Sequence, residues 1–143
     1  VAVTVLFAAA MWGAARVTPS MALPRAARAS AAIALAALGA GLSLAGVASF
    51  RRAKTTVNPT RPDAVSTLVT SGVYRATRNP MYLGFLLILL GWAAFLSNPL
   101  ALIVAMAFVV YMNRFQIIPE ERALAARFGS PFSVYRVKVR RWL

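Results

Sequence analysis

The chain has 143 residues, enough for a single domain; sixty per cent are hydrophobic and only 13% are charged. That composition lies well outside the soluble average and reads as an integral membrane protein. The absence of Cys excludes disulfides, iron–sulfur clusters and thiol nucleophiles, and the absence of His removes the usual general base and the usual metal ligand, so no metal is expected. Sixteen basic residues against three acidic ones give a net charge of +13. The basic residues flank apolar runs instead of lining a soluble groove, which points to anionic lipid as their partner and not to nucleic acid.

The expected fold is all-α: a membrane bundle of about four transmembrane helices in one domain, 1–143, with a cytoplasmic amphipathic C-terminal segment. Val1–Ala15 is the first span; it lacks the basic n-region of a signal peptide, and an initial Val fits a span whose start precedes the chain. Ala29–Phe50 meets the ~20 apolar residues that a ~30 Å hydrocarbon core requires. Its Gly39, Gly41 and Gly46 suit close helix packing. Met81–Leu96 and Leu100–Ile118 are two more spans, folded into an antiparallel hairpin by Ser97-Asn98-Pro99.

Charge sets the orientation. Arg51, Arg52, Lys54, Arg61, Arg75 and Arg78 lie on one side, together with Arg114, Arg122, Arg127, Arg136, Lys138, Arg140 and Arg141. The other side holds Arg16, Arg25 and Arg28. The imbalance places both termini and both long polar segments in the cytoplasm, with the three Arg of the first loop against the rule. Pro119 marks a kink or a fresh helix start, and an amphipathic helix over Glu120–Phe128 follows. Gly129-Ser130-Pro131 stops it, and Phe132–Leu143, alternating basic and apolar residues, is expected to lie along the membrane surface.

Two of the three acids, Glu120 and Glu121, sit side by side after the last apolar run. An uncompensated carboxylate near a bilayer costs several kcal/mol, so this pair is expected either to hold a cation or to form a surface salt bridge to Arg122 or Arg114. Arg78, Asn79 and Tyr82 fall at the interfacial start of the third span, where open backbone N–H groups suit an anion; alternatively they merely start and anchor that helix. The 97–99 hairpin returns the carboxylates to the level of Asn79, so one pocket could accept both ends of a zwitterion.

The ordered series Leu68-Val69-Thr70-Ser71-Gly72-Val73-Tyr74, Arg78-Asn79-Pro80-x-Tyr82-x-Gly84, Asn98-Pro99, Glu120-Glu121, Phe128-Gly129, Tyr135 and Arg140-Arg141 resembles the isoprenylcysteine carboxyl methyltransferases. Their wider membrane superfamily includes phospholipid methyltransferases. The resemblance covers residues 66–142. It implies a methyltransferase that uses S-adenosylmethionine on the cytoplasmic side, with a lipophilic small molecule or lipid as acceptor. It further implies a donor site lined by Ser66, Thr67, Leu68, Val69, Tyr74, Arg78, Asn79, Pro80, Met81 and Tyr82 and faced by Glu120. Glu121 and Asn79 are the catalytic candidates. Glu121 is a second donor contact, a helix N-terminal charge, or, with water, the acceptor of a proton from an amine substrate.

Three positions depart from the family pattern, the smallest change being Phe132 where Tyr is common. Asn79 stands where His is usual, and Gln116, the substrate-binding candidate, stands where an Arg normally meets a carboxylate. Gln is a poor substitute for that clamp, which argues for an acceptor other than a carboxylate. The alternatives are a sterol-reductase-like membrane enzyme using NADPH, and a membrane scaffold without catalysis.

Overall fold

The computed structural model describes residues 1–53 and 67–143; the expectations for Lys54, Arg61 and Ser66 lie outside the described residues. Within them the chain is helical and has no strand. Its elements are α1 (Ala2–Val17), α2 (Arg25–Arg52), a 3-10 turn (Gly72–Arg75), α3 (Pro80–Leu96), α4 (Pro99–Tyr111), a π turn (Met112–Ile117), α5 (Ile118–Phe128) and α6 (Ser130–Lys138). Both α3 and α4 open on proline, whose fixed φ suits a first helical position and whose missing N–H costs nothing there.

Among the described residues, two stretches are long and apolar enough to cross a bilayer: Arg25–Arg52 and the continuous helix Pro99–Phe128. Ala2–Val17 and Pro80–Leu96 are shorter apolar helices, of 16 and 17 residues. Pro119 falls, as expected of a fresh helix start, in the first turn of α5, which opens at Ile118. The six-residue π turn ends at Ile117, two residues before it. Proline removes the bond to the carbonyl four residues back and crowds it; the wider π turn takes up that crowding and the helix runs on.

The residues form two compact units, one of Val1–Gly41 with Gly84–Tyr111, the other of Leu42–Leu83 with Met112–Leu143. In the first, α1 packs on α4. Phe7 meets Phe108 edge-on at 5.4 Å and Tyr111 at 5.7 Å, over a core that includes Met11, Leu89, Ala101 and Ala105. Small residues bring α2 and α3 together. A Cβ on Gly39 would collide with the Gly84 carbonyl, whereas Gly41 faces open space, so only one of this glycine pair serves packing.

The link between α1 and α2 is tied down by the α3–α4 turn. Ser97 takes a positive φ of 50°. Asn98, 1% exposed, accepts from the N–H groups of Leu100 and Ala101 at 2.9 and 3.1 Å and so caps α4. Its amide nitrogen donates to Thr18 Oγ1 at 2.8 Å and to the carbonyls of Thr18 and Pro19. Ser97 Oγ and the Met21 N–H complete the tie, to the Met21 and Ser97 carbonyls respectively.

In the second unit, Phe132, Tyr135 and Val139 form a cluster with Leu68, Leu124, Ala125 and Phe128 packed against it. Gly129, at φ 58°, ends α5 as expected. The segment after it is helical to Lys138, because the spacing 132, 135, 139 puts its buried residues on one helical face.

We expect Asn98→Ala to lower stability by about 3 kcal/mol, since it removes a cap and leaves buried partners unsatisfied. Thermal unfolding of the detergent-purified protein checks this, with Asn98→Asp, which keeps the cap but not the donated bonds, falling in between.

Candidate functional site

All the polar machinery described next lies within the second unit. Loop residues 77–79 enter α3, the π turn and α5 carry the carboxylates, and the chain after α6 returns across the loop. Three hydrogen bonds hold that return. Arg78 N–H donates to the Arg140 carbonyl at 3.0 Å, and Asn79 Nδ2 and Thr77 Oγ1 both donate to the Arg141 carbonyl, at 2.9 and 3.3 Å. Thr77, 1% exposed, also accepts from the Asn79 N–H at 3.1 Å. Farther along, Trp142 Nε1 donates to Asn113 Oδ1 in the π turn at 3.1 Å.

Glu121 locks this arrangement. One oxygen accepts from Arg78 Nη2 at 2.8 Å and from Arg141 Nε at 3.1 Å, and the other accepts from Arg141 Nη2 at 2.7 Å. These are the ion pairs of the second carboxylate, so the expected bridge to Arg122 or Arg114 is not the one formed. Arg114 and Arg122 are exposed, while Arg78 of the 77–79 loop and Arg141 of the returning chain reach Glu121. Burial pulls the Arg78 guanidinium down from its ordinary range, with Glu121 opposing that, while the hydrogen bond to Glu121 holds Arg141 up. Arg78 Nη1 also donates to the Arg136 carbonyl at 2.9 Å, and its buried Nε has no partner among the described residues.

Glu120 is treated differently. Its Oε1 accepts from the Tyr82 hydroxyl at 2.6 Å and from Gln116 Nε2 at 2.5 Å, and no Arg or Lys among the described residues pairs with it. The carboxylate is thus oriented by two neutral donors, with its charge not cancelled.

Of the residues expected at a donor site, Arg78, Asn79 and Tyr82 gather with Glu120, Glu121 and Gln116 as just described. Pro80 is buried at the start of α3, and Met81 follows it, its carbonyl accepting from Ser43 Oγ at 3.3 Å. Tyr74 is buried, stacked edge-on against Phe50 at 5.4 Å, and its carbonyl accepts from the Tyr135 hydroxyl at 2.7 Å. Burial pushes the Tyr135 phenol up to about 12 and the Tyr74 phenol higher still, so both stay protonated. Leu68 packs against α6 and Val69 is buried, but Thr67 is exposed and no described contact joins these three to either carboxylate.

Sequence reasoning missed Thr77, Asn113, Arg141 and Trp142 as members of this network. The paired Arg140-Arg141 was the one available signal, yet only Arg141 directs its side chain to a carboxylate. We expect Glu121→Gln to destabilise the protein by about 3 kcal/mol, because it leaves the largely buried Arg78 without its counter-ion. Thermal unfolding reads this, and Arg122→Gln, outside the network, is expected to change little.

The profile of the phospholipid methyltransferase family matches residues 27–131. A 63-residue stretch is 48% identical to an uncharacterized protein of Haemophilus influenzae, covering 44% of this chain and all of that one. Protein-S-isoprenylcysteine O-methyltransferase A of Arabidopsis thaliana is 44% identical over 75 residues, 50% of this chain and 36% of that protein. A probable protein-S-isoprenylcysteine O-methyltransferase of Oryza sativa subsp. indica is 40% identical over 75 residues, 50% and 38% respectively. The chain therefore spans little more than a third of these plant relatives. No solved structure matches. A family match that runs from α2 to the start of α6 decides the matter: the chain belongs to the phospholipid methyltransferase family.

Proposed function

We propose that the chain is a single membrane domain of about four spans that transfers a methyl group from S-adenosylmethionine to a lipophilic acceptor, with its site and both termini on the cytoplasmic side. Family membership supports methyl transfer. The observation that carries the donor assignment is Glu120, a half-buried carboxylate held by Tyr82 and Gln116 with no Arg or Lys among the described residues to neutralise it. Such a group favours a ligand that brings its own cation or hydroxyl donors.

When bound, S-adenosylmethionine would supply an electrophilic methyl on a sulfonium, with S-adenosylhomocysteine as the leaving group. Glu120 would receive the donor's ammonium or ribose diol, and Tyr82 and Gln116 fix its orientation. The unpartnered Nε of Arg78 is the buried donor available to a carboxylate. Thr67, Leu68, Val69, Tyr74, Asn79, Pro80 and Met81 would form the surrounding wall. The protein's remaining work is to align donor and acceptor and to exclude water.

Glu121 takes a positioning role in this reading. Both of its oxygens are already taken up by Arg78 and Arg141, so a proton from an amine acceptor would pass to water. Asn79 likewise acts by holding the returning chain through the Arg141 carbonyl. Gln116, bound to Glu120, leaves the site without the Arg that clamps a carboxylate, which favours a lipid amine or another neutral acceptor.

Calorimetric binding of S-adenosylmethionine and S-adenosylhomocysteine to the detergent-purified protein tests the proposal. We expect micromolar binding, weakened at least tenfold by Glu120→Gln and by Asn79→Ala. Arg140→Ala should bind as wild type, since Arg140 contributes its carbonyl. Absent binding, or equal behaviour of the three variants, overturns the assignment.

A further inference from the structure

Within the first unit an apolar groove of about 480 Å³ opens between α1, α2 and α3. Its floor is made of small residues, Ala8, Ala32, Ala36 and Gly91, and one wall is aromatic, Trp92 and Phe95. These rings stack at 5.6 Å and 13°, and Trp92 Nε1 donates to the Ala8 carbonyl at 3.1 Å, which ties α3 to α1 beside the groove. The volume lies in the ~300–1,000 Å³ range of ligand pockets, and a lining this apolar suits hydrocarbon.

Charge gathers at one end. Arg28 stands one turn before Ala32; its Nε donates to the Phe95 carbonyl at 2.7 Å, its Nη2 bonds the same oxygen, and its guanidinium lies 5.8 Å from the Phe95 ring centroid. The exposed Arg25 precedes it by one turn. Both cations sit in the first turn of α2, where the helix dipole opposes them, and that turn holds no acidic residue. Arg16, by contrast, sits in the last turn of α1, where the dipole favours it, with its guanidinium 5.2 Å from the Trp12 ring centroid. An anion at Arg25 and Arg28 would relieve what the helix cannot, and Arg28 has N–H groups beyond the two that bind Phe95.

We propose that this groove is a phospholipid site: one acyl chain lies along Ala36, Ala32 and Gly91, and the anionic headgroup is held by Arg25 and Arg28. The site also gives a role to two of the three arginines, Arg25 and Arg28, that run against the charge rule for orientation. It shares no residue with the Glu120 cluster and does not rest on the methyl-transfer reading.

Native mass spectrometry of the full chain, released from detergent after titration with phosphatidylglycerol or with phosphatidylcholine of equal chain length, tests it. We expect one retained phosphatidylglycerol per chain, with at least a tenfold preference over phosphatidylcholine. The double substitution Arg25→Gln with Arg28→Gln should abolish the preference, and Ala36→Phe, which fills the groove, should reduce retention of both lipids. Circular dichroism and thermal unfolding identify properly folded variants, and Ala32→Leu serves as a second groove-filling substitution. Equal retention of the two lipids by the wild-type chain overturns the proposal, as does wild-type retention in folded groove-filled variants.

Discussion

The second unit depends on one anion serving two cations. A chain with sixteen basic and three acidic residues has few ways to bring guanidinium groups together without repulsion. Glu121 does so for Arg78 and Arg141, which lie 43 and 20 positions from it. Both oxygens are used, and the partners approach from different segments, so the ion pair fixes geometry as well as charge. Once it forms, the carbonyls of Arg140 and Arg141 fall within reach of Arg78, Asn79 and Thr77, and the C-terminal segment is sewn across the entry to α3.

The adjacent carboxylate has the opposite environment for a geometric reason. Successive helical side chains diverge by ~100°, so Glu120 and Glu121 cannot face the same partners. Glu121 meets arginines; Glu120 meets a phenol and an amide. One residue is therefore paired with arginines within the protein, and the other is held by neutral donors alone among the described residues. The π turn just before them adjusts the phase of this helix where Gln116 and Asn113 must reach Glu120 and Trp142. Widened turns of this kind recur at functional sites because they re-aim side chains without ending a helix.

Much of the fold was legible because its determinants are local. Pro80 and Pro99 start helices, Gly129 stops one, and long apolar runs mark the rest. Other features were not. Pro119 marks the start of α5, but nothing local announces the π turn of Met112–Ile117 that precedes it. Gly39 and Gly41 are equivalent in the sequence, and only the rotational phase of α2 against α3 sends one into contact and the other into open space. The α6 helix was hidden by a pattern of basic and apolar residues that resembles an alternation.

By itself, the sequence determined that the chain is helical, with runs apolar enough to cross a membrane and a pair of rare carboxylates, and its ordered motifs were enough to indicate the family. Those properties follow from composition, hydropathy and local steric rules, which operate over a few residues. Tertiary structure alone decided which carboxylate is neutralised by arginine and which is left to neutral donors. It also decided that Asn98 ties two connections together and that Arg141, not Arg140, joins the polar network. Each of these depends on side chains distant in the chain arriving at hydrogen-bonding distance, and such meetings are set by helix phase and packing.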